Sequence, residues 1–244
     1  MFGTSGIRGV YGKEVHELLA LRIGNLFSDK DVIIGRDVRA TGESLSCALL
    51  SGILSSGKNA IDIGIVPTPT LALATKKLLC NGIMITASHN PEEYNGLKLF
   101  SEGREISRKK EQEITEKYNK NKLNYSEWNK VGKLKNYQNA IEDHKSLILS
   151  LIDQSEIKKV NPKIVVDSNS PAALITPYVL ENLGCKVIHI NNSIKGFSRP
   201  SEPNKANLSS LSKKVIEEKA DFGIGHDGDA DRAVIVDDNG EMLS

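Results

Sequence analysis

Short apolar runs alternate along this chain with stretches whose apolar residues recur at helical spacing, and the alternation appears in both halves. In the first half, Asp31 to Gly35, Ala60 to Gly64 and Gly82 to Ile85 read as buried strands. Val15, Leu18, Leu19, Ile23 and Leu26 predict a first amphipathic helix. Leu45, Ala48, Leu49, Gly52 and Ile53, closed by Gly57, predict a second, and Leu71 to Leu79 a third after the break at Pro67-Thr68-Pro69. Helices placed between strands in this order predict a sheet with both faces covered.

The composition turns polar after Ser107, with an exposed helix around Lys109 to Tyr118 and a loop around Trp128. A further helix over Ile141 to Ile152 gives way to the polar run Asp153 to Lys159, and the boundary between two domains is expected near 150. The second half repeats the pattern: strand Ile164 to Val166, a helix within Ala172 to Leu183, then strand Lys186 to Ile190. Pro177 must kink that helix or begin it with Thr176 as its N-cap. Asn207 is expected to cap a helix bearing Leu208, Leu211, Val215 and Ile216, before strands at Asp221 to His226 and Ala233 to Val236. Asp238-Asn239-Gly240 predicts a hairpin turn. The expected fold is α/β: two consecutive domains, 1–150 and 151–244, with mixed, mostly parallel sheets covered by helices.

A formal net charge of +1 over 244 residues argues against a nucleic-acid surface. No apolar run approaches the roughly 20 residues that span a bilayer, and no basic and apolar leader follows Met1, so a cytoplasmic protein is expected. Cys47, Cys80 and Cys185 lack metal-ligand spacing and read as buried, reduced thiols.

Three stretches carry chemistry. Thr86-Ala87-Ser88-His89-Asn90-Pro91 leaves the strand ending at Ile85, and Asn95-Gly96 is expected to turn the chain back into Leu97, Leu99 and Phe100. Gly3-Thr4-Ser5-Gly6-Ile7-Arg8-Gly9 sets an arginine fork, suited to phosphate, among three glycines. Asp227-Gly228-Asp229-Ala230-Asp231-Arg232 alternates carboxylates with residues small enough to let the backbone curl. Three hard oxygen donors without His or Cys suit Mg²⁺, or Ca²⁺ in a larger site, and argue against zinc. An EF-hand is excluded because Arg232 stands where its glycine should be and Asp238 where its glutamate should be. Gly52 to Lys58 fits the outline of a P-loop, but it closes a helix and continues with Asn59, so it is rejected as a nucleotide site and no organic cofactor is expected.

Together these motifs resemble those of the α-D-phosphohexomutases, the family of phosphoglucomutase, phosphomannomutase and phosphoglucosamine mutase. Gly35-Arg36-Asp37 and Pro67-Thr68-Pro69 are lesser matches lying between them. The resemblance implies an isomerase that interconverts hexose 1- and 6-phosphates through a phosphoserine at Ser88 and a bisphosphate intermediate. It implies Mg²⁺ held by Asp227, Asp229, Asp231 and a phosphoserine oxygen. Arg232 would contact the transferring group, Arg8 and Lys98 would line the site with Lys98 as general acid/base, and His89 shares the Ser88 loop. His89 is expected to point away from Ser88, as neighbours on an extended strand do. The family plan has four domains, and the 244 residues match the first two; the sugar-selecting and C-terminal phosphate-binding domains have no counterpart in them. Asp167-Ser168-Asn169-Ser170-Pro171 is poorer in glycine than the family's loop there. The expected partners are a hexose phosphate and a separate C-terminal half, and the chain alone is expected to turn over poorly if at all. Phosphoglucosamine mutase is the alternative within the family, and a metal-dependent phosphoserine phosphatase or a non-catalytic half that docks on a separate C-terminal half are the alternatives from other classes.

Phosphoserine at about −2, three aspartates and Mg²⁺ sum to about −3, so such a site calls for the nearby cations Arg8, Lys98 and Arg232.

Overall fold

A computed structural model describes residues 1–193 and 195–243. The chain forms two compact units, Met1–Ala87 with Glu92–Ala140, and Ser88–Pro91 with Ile141–Ser244. Among the described residues no helix is long and apolar enough to cross a membrane.

The first unit runs β1 (Ile7–Val10), α1 (Glu17–Leu26), β2 (Val32–Arg36), α2 (Gly42–Ser55), β3 (Ala60–Ile65), α3 (Thr68–Leu78), β4 (Asn81–Ile85), β5 (Tyr94–Ser101), β6 (Arg104–Glu105), α4 (Arg108–Asn119) and β7 (Leu134–Asn136). Its sheet has the order β1-β5-β4-β2-β3-β7, with β6 paired to β5. β4, β2, β3 and β7 are parallel neighbours, whereas β1 and β4 both pair antiparallel with β5. Val32, Ile34, Ile83 and Ile85 join Leu19, Ile23, Leu45, Leu49 and Ile114 from α1, α2 and α4 in one core cluster. The intervening positions face α3, where an added Cβ at Gly82 would sit 2.9 Å from Leu71.

Gly52 belongs to α2, where a Cβ would strike the Leu21 carbonyl oxygen, so this glycine serves the packing of α2 on α1. Asn95-Gly96 is not a turn. Both residues lie inside β5, Asn95 bonding Thr41 Oγ1 at 2.8 Å, and the reversal occupies the residues before Tyr94. Arg8, expected on a glycine-rich loop, lies on β1 opposite Gly96. Cys47 is exposed, contrary to expectation, while Cys80 is buried, Cys185 is half-buried and all three are unbridged.

The second unit contains α5 (Ala140–Ser150), α6 (Gln154–Val160), β8 (Lys163–Asp167), a 3-10 turn (Pro171–Leu174), α7 (Ile175–Asn182), β9 (Lys186–Ile190), α8 (Ser209–Glu218), β10 (Phe222–His226) and β11 (Ala233–Val236). Its sheet has the order β11-β10-β8-β9, parallel except for the β10/β11 hairpin. α5 was expected on the other side of a boundary near 150. Instead Ile141, Ile148, Leu149 and Ile152 pack with Ile175, Val179 and Leu183, and that apolar face places the division at 140/141.

Three local expectations differ. Asp153 to Lys159 is mostly helix, with Asp153 accepting the Ser155 amide as N-cap. Pro177 sits in the first turn of α7 rather than at its start, where the missing N–H leaves no intrahelical bond unmade. The residue before α8 is Leu208, because the Asn207 amide group bonds the Glu202 carbonyl instead of capping the helix. The Asp237–Glu241 turn does return the chain, with Val236 bridging Met242.

Candidate functional site

Both units place their chemistry at a reversal in strand order. From β2 the chain moves to β3 on one side and returns to β4 on the other, and from β8 it moves to β9 and then to β10. Ligands of open α/β sheets bind beyond the carboxyl ends of the strands at such points. Asp37-Val38-Arg39 follows β2, and Thr86 to Pro91 follows β4. Ser168 to Pro171 follows β8, and Asp227 to Arg232 joins β10 to β11.

In the first unit a buried ion pair fixes the root of the Ser88 loop. Arg39 Nε meets Asp37 Oδ2 at 3.1 Å, both side chains fully buried. Thr86 Oγ1 donates to the same carboxylate oxygen at 2.7 Å, and Arg39 Nη1 donates to the Tyr94 carbonyl at 2.9 Å. The chain is therefore tied down on either side of residues 88–91. A buried pair persists when further hydrogen bonds satisfy its remaining lone pairs and protons, and the bonds from Thr86 and to Tyr94 contribute to that. Arg8 on β1 pairs with Gly96, and Lys98 stands two residues along β5 and is 1% exposed. Their positions lie on one face of the sheet, diagonal to each other.

The second unit gathers the rest. Ser88 Oγ donates to Asp227 Oδ2 at 2.8 Å, and Arg232 Nη2 donates to Ser88 Oγ at 3.4 Å. Arg232 also holds Asp227 through Nε at 3.1 Å and through its own amide at 3.2 Å. Asp227, Asp229 and Asp231 each offer a carboxylate oxygen within 4.8 Å of the others; the first two are buried and Asp231 is exposed. Burial, followed by the charges of Asp229 and Asp231, pushes the Asp227 carboxyl up to about 7 against the opposing pull of Ser88 and Arg232. Burial and the mutual repulsion of neighbouring carboxylates thus outweigh the attraction of the Arg232 guanidinium. Mg²⁺ with oxygens at about 2.1 Å wants its ligands about 3 to 4.2 Å apart, so small carboxylate rotations suffice and the donor set fits.

Ser88 has φ +52° and lies in a turn, so the extended-strand rule that would send His89 away from it does not apply. His89 is half-buried in the same four-residue segment, Ser88–Pro91. Ala230 also has φ +51°, which lets the aspartate loop curl. Sequence reasoning gave no role to Asp37, Arg39, Asp167, Arg199 or Ser201. Asp37 carried a motif signal without a chemical one, and Arg199 and Ser201 lie in a proline-containing loop without periodicity.

The chain matches the description "Phosphoglucomutase/phosphomannomutase, alpha/beta/alpha domain I" over residues 1–125 and domain II of the same description over residues 135–240. It belongs to the phosphoglucomutase/phosphomannomutase family, the phosphohexomutases. A Methanococcoides burtonii protein named "Probable phosphoglucosamine mutase" is 41% identical over 100% of this chain and 56% of its own length. A "Phosphoglucomutase/phosphomannomutase" of Thermococcus kodakarensis is 40% identical, again over 100% of this chain and 56% of its own. The chain thus spans little more than half the length of these relatives. Among solved structures, a phosphoglucomutase/phosphomannomutase family protein of Burkholderia thailandensis superposes with a TM-score of 0.83 at 25% identity, covering 98% of this chain and 55% of that one. A Thermus thermophilus structure shares the fold with a TM-score of 0.85 at 23% identity, covering 99% and 58%.

Proposed function

We propose that this chain carries the phosphoserine and metal centre of a phosphohexomutase that interconverts hexose 1- and 6-phosphates through a bisphosphate. The observation that carries the reading is the Ser88 hydroxyl, bonded at once to Asp227 of the three-carboxylate cluster and to Arg232. Asp227, Asp229 and Asp231 would hold Mg²⁺, with an oxygen of phosphorylated Ser88 as a further ligand. The ion supplies charge neutralisation on the phosphoryl oxygens.

The protein's own part is positioning and electrostatics, which is most of what phosphoryl transfer asks of it. In the forward half-cycle the bond between phosphorus and Ser88 Oγ breaks and a bond to a sugar hydroxyl oxygen forms. The hydroxyl proton leaves to a base, for which Lys98 is proposed, and a proton returned from that base by way of solvent restores the Ser88 hydroxyl, so none is gained or lost overall. Arg232 and Arg8 offset the phosphoryl charge, and His89 is assigned to the same loop without a proton role. The family reading leaves a hexosamine phosphate as the alternative substrate, which the name of the Methanococcoides relative favours.

Intact mass tests the carrier role. The purified protein is expected to gain about 80 Da, one phosphoryl group, on incubation with a hexose 1,6-bisphosphate and Mg²⁺, and to lose it with phosphatase. Retention of that increment in Ser88→Ala would overturn the assignment.

A further inference from the structure

The segment from Phe197 to Ser201 is fastened to the ends of two strands of the second unit. Arg199 Nε meets Asp167 Oδ2 at 3.0 Å, with side chains 7% and 0% exposed. Its Nη2 donates to the His226 carbonyl at 2.7 Å, and its Nη1 to the Pro200 carbonyl at 3.1 Å. The Ser198 amide donates to the Asn169 carbonyl at 2.8 Å, and the Arg199 amide to Asn169 Oδ1 at 3.1 Å. Asp167 ends β8 and His226 ends β10, so one guanidinium bridges both strand ends.

From this anchored strap Ser201, 4% exposed, donates its hydroxyl to the Ser88 carbonyl at 2.7 Å. The third wall is Gly228 of the aspartate loop. A Cβ there would collide with Ser201 Oγ and lie 2.9 Å from both the Ser88 carbonyl oxygen and Phe197 Cε1. Ser88 needs such support because φ +52° is disfavoured for any residue with a Cβ, and a free peptide would relax toward extended geometry. Relaxation would swing Oγ away from Asp227 and Arg232.

We infer that Ser201, held in place by the Arg199 strap, is a positioning residue that locks the Ser88 backbone in its left-handed conformation and so aims Oγ for phosphoryl transfer. This rests on the reading of Ser88 as the phosphoryl carrier. The strap acts through the backbone of the nucleophile, so its loss should slow transfer without weakening capture of the donor.

The test is the rate at which radiolabelled hexose 1,6-bisphosphate labels the full chain with Mg²⁺ present, in wild type, Ser88→Ala, Ser201→Ala, Ser201→Thr and Arg199→Lys. The expected result for Ser201→Ala is a saturating rate lowered by roughly five- to tenfold, the range of one neutral hydrogen bond, with the half-saturating donor concentration unchanged. Ser201→Thr restores the rate, and Arg199→Lys, which keeps the charge but cannot reach both strand ends, lowers it. Labelling of Ser201→Ala at the wild-type rate overturns the inference while leaving the carrier reading intact. So does a slow Ser201→Ala whose melting temperature falls and which Thr does not rescue, since that is a merely structural role. Absence of label in wild type, or label persisting in Ser88→Ala, overturns the carrier reading and the inference with it.

Discussion

At the scale of single residues, Asp227 carries the most electrostatic tension in the second unit. Its carboxyl would titrate near 3.8 in the unfolded chain and is pushed up to about 7 in the fold, by burial first and by Asp229 and Asp231 next. A folded state that holds a proton more tightly than the unfolded one loses stability as pH rises between the two values. The metal-free protein is therefore expected to melt at a higher temperature at pH 5 than at pH 7.5, relative to Asp227→Asn, in which this contribution is absent. Mg²⁺ competes with the same proton, so its affinity should fall about tenfold per unit below pH 7. Calorimetric titration with Mg²⁺ at pH 6 and pH 8 checks this, and equal affinities would remove Asp227 from the ligand set. The grouping of the three aspartates was legible because their alternation with Gly and Ala is written in the sequence, while Ser88 stood out only through the motif that surrounds it. Ser201 could not be read from sequence, because what it contributes is one hydrogen bond to a main-chain carbonyl 113 residues away.

At the scale of elements, the period of the apolar residues revealed the buried central strands and the helices packed on them, since burial on one face imposes that period, whereas β1, β6, β7 and α6 carry too little apolar pattern to be read that way. The misreadings came from residues whose local preference lost to a tertiary partner. Asn95-Gly96 would make a fine turn, yet Asn95 is claimed by Thr41, and Asn207 would make a fine cap, yet its amide is claimed by Glu202. The Asp37–Arg39 pair shows the same thing with larger energies. It joins the end of β2 to Thr86 and Tyr94, the two residues between which the Ser88 loop is strung. Arg39→Met leaves Asp37 buried without its counter-ion and is expected to cost about 3 to 5 kcal/mol, read as a lower midpoint in urea. Asp37→Asn combined with Arg39→Met removes both charges and should recover part of that loss. A double variant no better than the single would mean that the carboxylate's other bonds, and not the ion pair, hold the loop root.

At the scale of the whole molecule, the order of strands and helices identified an α/β chain with two sheets, but polar composition proved a poor guide to their division. The run after 150 looked like a linker because it is charged, while the apolar stripe of α5 belongs with α7. Composition reports solvent exposure, and a boundary is set by which faces bury each other. The same distinction bears on activity. The Ser88 hydroxyl, the aspartate cluster, Arg232 and the strap lie within residues 88–91 and 141–243, while Arg8 and Lys98 belong to the first unit, and the relatives extend to nearly twice this chain's length. A mutase must bind a bisphosphate in two orientations, which requires an anchor for the distal phosphate as well as a carrier for the reacting one. The aspartate loop and Ser88 supply the carrier. The isolated chain is accordingly expected to accept one phosphoryl group at Ser88 yet to show no isomerisation of glucose, mannose or glucosamine monophosphates in a coupled assay. Addition of a polypeptide corresponding to the remaining length of the Thermococcus relative should raise turnover above that background. Robust isomerisation by these 244 residues alone would show that the distal anchor lies inside them and would shift attention to Arg8 and Lys98.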